Sequence, residues 1–297
     1  MFRKSVIGFV VATVAAVALV GARIDAQGGT ALSGTVSSQK EGKMEGVLVT
    51  ARRDGANFDV TVVSNAKGDY SFPRTHLAPG KYAIKIRAVG YDLVAENPTV
   101  DVAAGKTAKL NLALDTTKDL SSQITSVEWL NSIPGTDEQK AMTQRHIASC
   151  TYCHSLERII KSRHNAEQMV NVIHRMSGYY FDGTTAGTEG RGRPRPDTKQ
   201  AQANAAKNPV WGFFPGVQKT ELAAYLATVN RSGGRELPEL KTLPRPKGKA
   251  TRVIITQYDM PRRDTVPHDS DVDSKGLVWY TDQSAYFVGR LDPKTGE

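Results

Sequence analysis

Cysteine is almost missing from this chain: its 297 residues hold two, and these stand three positions apart. No disulfide framework ties distant segments together, and with 39% hydrophobic residues none is required. Long apolar runs are as scarce. Residues 6–22 form the one run, so no later segment could span a membrane. No cysteine lies near the end of that run, which argues against a lipoprotein. Acidic residues are in deficit: Lys+Arg number 39 against 30 Asp+Glu, a formal net charge of +9. The basic surplus is scattered and no nucleic-acid-binding motif accompanies it, so nucleic acid is not an expected partner. Such a surface suits acidic protein partners or an anionic membrane surface.

The apolar run sits where a leader would sit. Arg3 and Lys4 precede it, and the small residue Ala26 stands before Gln27. Residues 1–26 therefore read as a secretory signal peptide, which implies export to the periplasm or cell surface. The alternative is retention as an N-terminal anchor, since 17 residues is at the short limit for spanning.

At about 100–200 residues per domain, the length suggests two domains and part of a third. From residue 31 to 114 the apolar residues alternate. Val47 and Val49, then Phe58, Val60 and Val62, then Tyr70 and Phe72 have this period of two. So do Tyr82, Ile84 and Ile86, and later Leu110, Leu112 and Leu114. Turn signals such as Lys67-Gly68-Asp69 and Pro79-Gly80 separate the runs. The expectation is an all-β antiparallel sandwich over residues 31–116.

Gly34-Thr-Val36, Gly46-Val-Leu-Val49, Gly68-Asp-Tyr-Ser-Phe72, Leu77-Ala-Pro-Gly-Lys-Tyr82 and Ala88-Val-Gly-Tyr91 also carry a family resemblance. The segment resembles a carboxypeptidase regulatory-like domain, a transthyretin- or Ig-like sandwich. The resemblance implies an accessory or carbohydrate-binding role rather than catalysis. The segment has no zinc-ligand set that would make it a peptidase.

Residues 116–135 read as a polar connector, and Thr136-Asp-Glu-Gln as a helix start. Helical patterning continues to about residue 230. A stretch rich in Gly, Arg and Pro, residues 178–209, reads as loop. Residues 219–230 read as a helix, 232–250 as a linker, and 251–297 as a return to strands.

The two cysteines fall in Cys150-Thr-Tyr-Cys153-His154. A C-x-x-C-H motif in an exported chain is a c-type haem attachment site. Cys150 and Cys153 would form thioethers with the two haem vinyl groups, and His154 would supply an axial nitrogen. Three other readings stay open. A thioredoxin-like pair lacks its βαβ context here, and a structural zinc would need two more ligands, with His164 and His174 available. A disulfide in so tight a loop is strained.

Residues 136–231 resemble a class I cytochrome c domain. Leu222-Ala-Ala-Tyr-Leu226 is similar to that family's C-terminal helix. The resemblance implies one covalent haem c, a second axial ligand from the middle region, and electron exchange with a redox partner. Candidates for that ligand are Met169, Met176, His164 and His174. Residues 167–176 read as a helix whose apolar face carries Met169, Val172, Ile173 and Met176, with His174 nearly opposite Met176. Met176, just before a break at Ser177-Gly178, is favoured as the second ligand, the alternative being that both methionines fill core. Met260-Pro261 has the family's Met-Pro context but lies beyond the linker. For Arg158, Arg163, Tyr179, Tyr180 and Trp211, surface or core roles are as good a reading as haem contacts.

Pro267-His-Asp-Ser-Asp-Val-Asp273, Gly276-Leu-Val-Trp-Tyr-Thr-Asp282 and Gly289-Arg-Leu-Asp292 resemble one blade of a streptogramin (virginiamycin B) lyase-like β-propeller. About 4–8 blades close a propeller, so an incomplete set holds no active site, and a fragment of a longer protein is expected. Three function classes follow: a haem electron-transfer module, an accessory part of a lyase-like propeller enzyme, and a carbohydrate-binding surface protein.

Overall fold

The computed structural model describes residues 29–141, 143, 151, 154–181, 207, 218–262, 265–282 and 287–297. The chain divides into two compact units, Met1–Thr116 with Arg245–Gln257, and Thr117–Pro244 with Tyr258–Glu297. The signal-peptide segment, residues 1–26, lies outside the described residues, as do Cys150, Cys153 and Trp211. Among the described residues no helix is long and apolar enough to cross a membrane.

The first unit is an all-β sandwich. Its strands are β1 (Thr30–Ser38), β2 (Gly42–Lys43), β3 (Leu48–Arg53), β4 (Phe58–Val63), β5 (Asp69–Pro73), β6 (Gly80–Arg87), β7 (Tyr91–Leu93), β8 (Thr99–Val102), β9 (Ala108–Lys109) and β10 (Leu112–Thr116). One sheet is built on β1, which pairs with β5 and β9 along its first half and with β2 and β10 along its second. The other sheet runs β11-β4-β3-β6-β8, where β11 is Ile254–Tyr258. The alternating residues meet between the sheets: Val47, Val49, Phe72 and Leu77 are fully buried, and Val60, Val62, Tyr70, Ile84 and Leu112 nearly so. Period-two alternation puts one face of each strand in this core, at about 25 cal/mol per Å² of apolar surface removed from water.

Two features depart from the sequence expectation. The sandwich is not wholly antiparallel: β1 runs parallel to β9 and β10. The chain's return lies alongside its start in the same direction, and the intervening strands supply the crossover that parallel pairing needs. The second departure is β11. Residues 251–297 were expected to be blade, yet Arg245–Gln257 belongs to the sandwich unit.

This returning segment is clasped onto the sandwich at several points. The Arg245 guanidinium pairs with the Glu41 carboxylate, its Nε donates to the Glu45 carbonyl at 3.0 Å, and its charge lies 5.7 Å from the Tyr91 ring centroid. The Gly248 amide donates to Glu45 Oε1 at 2.8 Å. Gly46, at φ +79°, makes room: a Cβ there would stand 2.3 Å from the Pro246 carbonyl oxygen. Only glycine combines that backbone with that approach.

In the second unit the connector is not loop throughout. It holds α1 (Ser126–Ser132), started by a capping box in which the Thr125 hydroxyl accepts from the Glu128 amide. Glu128 is 1% exposed; its Oε2 accepts from the Thr125 amide at 2.7 Å and its Oε1 from the Leu243 amide at 2.8 Å. The expected linker is therefore fastened to α1, a second time through Lys241 N to Ser132 Oγ at 2.8 Å. Among the described residues, helices further along include α2 (Glu157–Ile160), α3 (Ala166–Phe181) and α4 (Lys219–Val229). The tail is an antiparallel sheet of β12 (Pro267–Val272), β13 (Val278–Asp282) and β14 (Phe287–Leu291). Inside it Arg262 pairs with the buried carboxylate of Asp282 and lies 4.6 Å from the Phe287 ring centroid.

Candidate functional site

Thr136 opens the helical stretch as expected. Its amide donates to Gln139 Oε1 at 3.0 Å, and its hydroxyl accepts from the Gln139 amide at 3.2 Å. Residues 137–141 are helical behind this reciprocal cap. The stretch leads towards the C-x-x-C-H motif, of which His154 is described and the two cysteines are not.

His154 is half-buried, and its Nδ1 lies 3.0 Å from the Ser155 carbonyl oxygen. A carbonyl only accepts, so this contact is a hydrogen bond when Nδ1 carries the proton. Nε2 then holds the free lone pair, the tautomer a metal-ligating imidazole adopts. The donor chemistry thus fits an axial iron ligand.

The backbone just past His154 is held firmly. The Leu156 amide donates to Ser126 Oγ at 3.2 Å, and Leu156 and Ile160 are fully buried. Lys161 Nζ lies 2.7 Å from Glu157 and 3.6 Å from Asp119. The end of α4 clamps the next loop: Asn230 Nδ2 donates to the His164 carbonyl at 2.8 Å, and the Arg231 amide to the Ser162 carbonyl at 2.9 Å. From the middle of α4, the Tyr225 hydroxyl donates to the Pro134 carbonyl at 3.2 Å. One helix therefore fixes the chain on both flanks of the motif. This is the bracing that a cofactor site needs if its ligand is not to drift.

On α3 the sequence-derived face is borne out in part. Met169 and Ile173, on a helix that packs against α4, are buried, 2% and 5% exposed. Met176 is half-buried, as is His174, while His164 is exposed. Met169 is thus a core residue. The helix does not break at Ser177-Gly178 but runs to Phe181. A glycine inside a helix costs only about 1 kcal/mol, so it does not by itself end one. The side chains of Tyr179 and Tyr180 lie outside the described residues.

Two ionisable groups, one on each of α3 and α4, are partly or wholly buried; Lys219 is the one that sequence reasoning missed. Lys219, the first residue of α4, is 1% exposed, and burial lowers its pKa. Burial also lowers the pKa of His174, with the Lys219 charge adding to it. A lone lysine at a helix start carries no sequence signal of burial. Another residue missed was Trp129 on α1, fully buried, with no hydrogen-bond partner for its Nε1 among the described residues. Its signal was available, because Thr125-Ser-Val-Glu128 before Trp129 spells a capping box. Among the described residues no three His, Cys, Asp or Glu side chains gather as a metal site.

Residues 31–115 match the carboxypeptidase regulatory-like domain family along that whole span. Residues 31–115 are a carboxypeptidase regulatory-like domain. No curated protein matches the chain. Among solved structures, the Bacillus anthracis TIE protein is similar over 30% of this chain and 16% of its own, with 23% identity and a TM-score of 0.25. A streptococcal ancillary pilin is similar over 31% of this chain and 33% of its own, with 13% identity and a TM-score of 0.26. Klebsiella pneumoniae 5-hydroxyisourate hydrolase is similar over 31% of this chain and 99% of its own, with 22% identity and a TM-score of 0.23. The chain thus spans well under half the length of the first two. Likenesses at this level assign no activity to it.

Proposed function

We propose that the chain is an exported mono-haem c-type cytochrome module that transfers single electrons, carried between a regulatory-like sandwich and the start of a β-propeller. The observation that carries this reading is Cys150-Thr-Tyr-Cys153-His154. Cys150 and Cys153 would hold haem c through thioethers, His154 through Nε2, and Met176 is the favoured second axial ligand. Bound haem supplies a ferric–ferrous couple, and a thioether ligand raises its potential.

The chain's own residues do the positioning. With its proton on Nδ1, His154 donates a hydrogen bond to the Ser155 carbonyl, which leaves Nε2 free for iron. Leu156 and Ile160 anchor the segment in the core, and α4 ties down both flanks. With a methionine in the sixth position no substrate need bind at iron, so electron transfer rather than catalysis is the role. The +9 charge suits an acidic redox partner or an anionic membrane surface. The place of work is the periplasm or cell surface.

One observation favours a second reading. The tail's three antiparallel strands are what part of a propeller blade requires. On that reading the module serves a longer lyase-like or oxidising propeller enzyme.

The deciding measurement is a pyridine haemochrome spectrum of the chain expressed with haem c maturation. A covalent c-type band, lost in Cys150→Ala/Cys153→Ala, is the expected result. Met176→Ala should then lower the potential and open the iron to carbon monoxide. Absence of covalent haem in a competent host overturns the proposal.

A further inference from the structure

The sandwich unit has a groove of about 660 Å³ that the haem reading does not use. One wall is the turn and edge around Asp69 and Ser71 of β5, with Val62 and Val63 at its floor. The other wall is the returning segment, through Lys249, Arg252, Val253 and Ile254. The groove is therefore assembled from chain positions nearly two hundred residues apart, and exists only with the segment clasped.

Three properties define an occupant. First, the groove lies beside two sheet edges. Among the described residues β5 pairs only with β1, and β11 only with β4. Open edges offer backbone donors and acceptors to an added strand. Second, apolar side chains are displayed there: Val253 and Ile254 are 44% and 37% exposed. Third, the returning wall is cationic. Lys249 and Arg252 are exposed and neither has an acidic partner among the described residues, whereas Glu45 is engaged by the Gly248 amide. Asp69 on the opposite wall makes the groove two-sided in charge. The single lining aromatic, Tyr70, is 2% exposed with its hydroxyl given to the Leu110 carbonyl, so no open ring face is offered to a sugar.

We propose that this groove binds an extended, acidic peptide segment of a partner protein, added along an open sheet edge. Carboxylates on one side of the segment face Lys249 and Arg252, and apolar residues between them cover Val253 and Ile254. The site is separate from the haem segment, so it stands or falls independently of electron transfer.

The test uses the full chain and a fluorescein-labelled peptide of alternating glutamate and valine, about ten residues long, followed by anisotropy. Saturable binding that weakens with added salt is expected. Lys249→Glu/Arg252→Glu should weaken it about tenfold. Both positions are exposed, so an unchanged thermal midpoint shows that the fold survives. Asp69→Asn should tighten binding a few-fold. Equal binding of an alternating lysine–valine peptide, indifference to the double charge reversal, or no binding at all would each overturn the proposal. So would binding of cello- or xylo-oligosaccharide that the same substitutions abolish, which would make the groove a glycan site.

Discussion

Glu41 is the residue on which the returning segment most depends. The Arg245 guanidinium and the Tyr91 hydroxyl both bond its carboxylate, and in that order they hold its pKa below the usual 4.5. A carboxylate with a lowered folded pKa stabilises the fold above its unfolded value, and that contribution is lost as the pH falls through the lowered one. Because the pair is about a third exposed, its worth is modest. Arg245→Ala should cost about 1 kcal/mol at pH near 7, and Glu41→Gln should remove the acid-side loss. Urea unfolding of both variants above and below the usual carboxylate range checks this. An Arg245→Ala deficit of the same size at both pH values would refute it.

Lys219 shows the opposite sign. Burial lowers its pKa from 10.5, and its place at the start of α4 opposes an ammonium further. Its charged form therefore costs stability at neutral pH, and the cost fades as the pH rises through the folded value towards 10.5. Lys219→Met should raise neutral-pH stability by about 1 kcal/mol and flatten the rise on the alkaline side. It should also move the His174 pKa upward, since a neighbouring positive charge is gone. NMR titration of the imidazole reads that directly.

At the scale of elements, legibility follows range. The strands of the sandwich were legible because each carries its own period of two, and the buried set is close to the one alternation picks out. The helix start at Thr136 was legible because a cap is local. α1 was missed although its Thr125–Glu128 box is written in the chain, because a polar composition was weighted over a capping pattern. The continuation of α3 past Gly178 was not legible, because a single glycine weakens a helix without ending it. β11 was recognised as a strand but not where it pairs, since its partner β4 lies far back in sequence. Gly46 gives room to Pro246, earlier in the same returning segment. Gly46→Ala would force a Cβ against the Pro246 carbonyl in a left-handed backbone, costing about 1–2 kcal/mol for the backbone alone. The expected outcome is faster proteolysis within residues 245–257 while the remaining sandwich resists. Unchanged cleavage kinetics would show that the clasp does not depend on this approach.

At the scale of the molecule, the matched domain ends at residue 115 but the folded unit does not. Residues 245–257 supply an edge strand, the Arg245 clasp and one wall of the groove. A chain ending at residue 244 should therefore lose stability in the sandwich and associate through the uncovered β4 edge. Denaturation followed by tryptophan-independent circular dichroism, together with sedimentation, would detect both. A monomer of unchanged stability would mean that the strand only decorates the domain. His154 belongs to the other unit, and the described contacts of α1 and α4 with the residues that follow it lie within residues 117–244.

The sequence by itself determined the strands of the sandwich, the family of residues 31–115 and the donor set proposed for haem. Each of these is encoded in neighbours a few positions apart, where periodicity, turns and motif spacing are direct consequences of backbone geometry. Only the tertiary structure decided that residues 245–257 complete the sandwich, that Lys219 is buried, that Met169 is core and that the linker is tied to Glu128. These depend on which surfaces meet after hundreds of residues have folded, and burial and long-range hydrogen bonding leave no local trace in the chain that makes them.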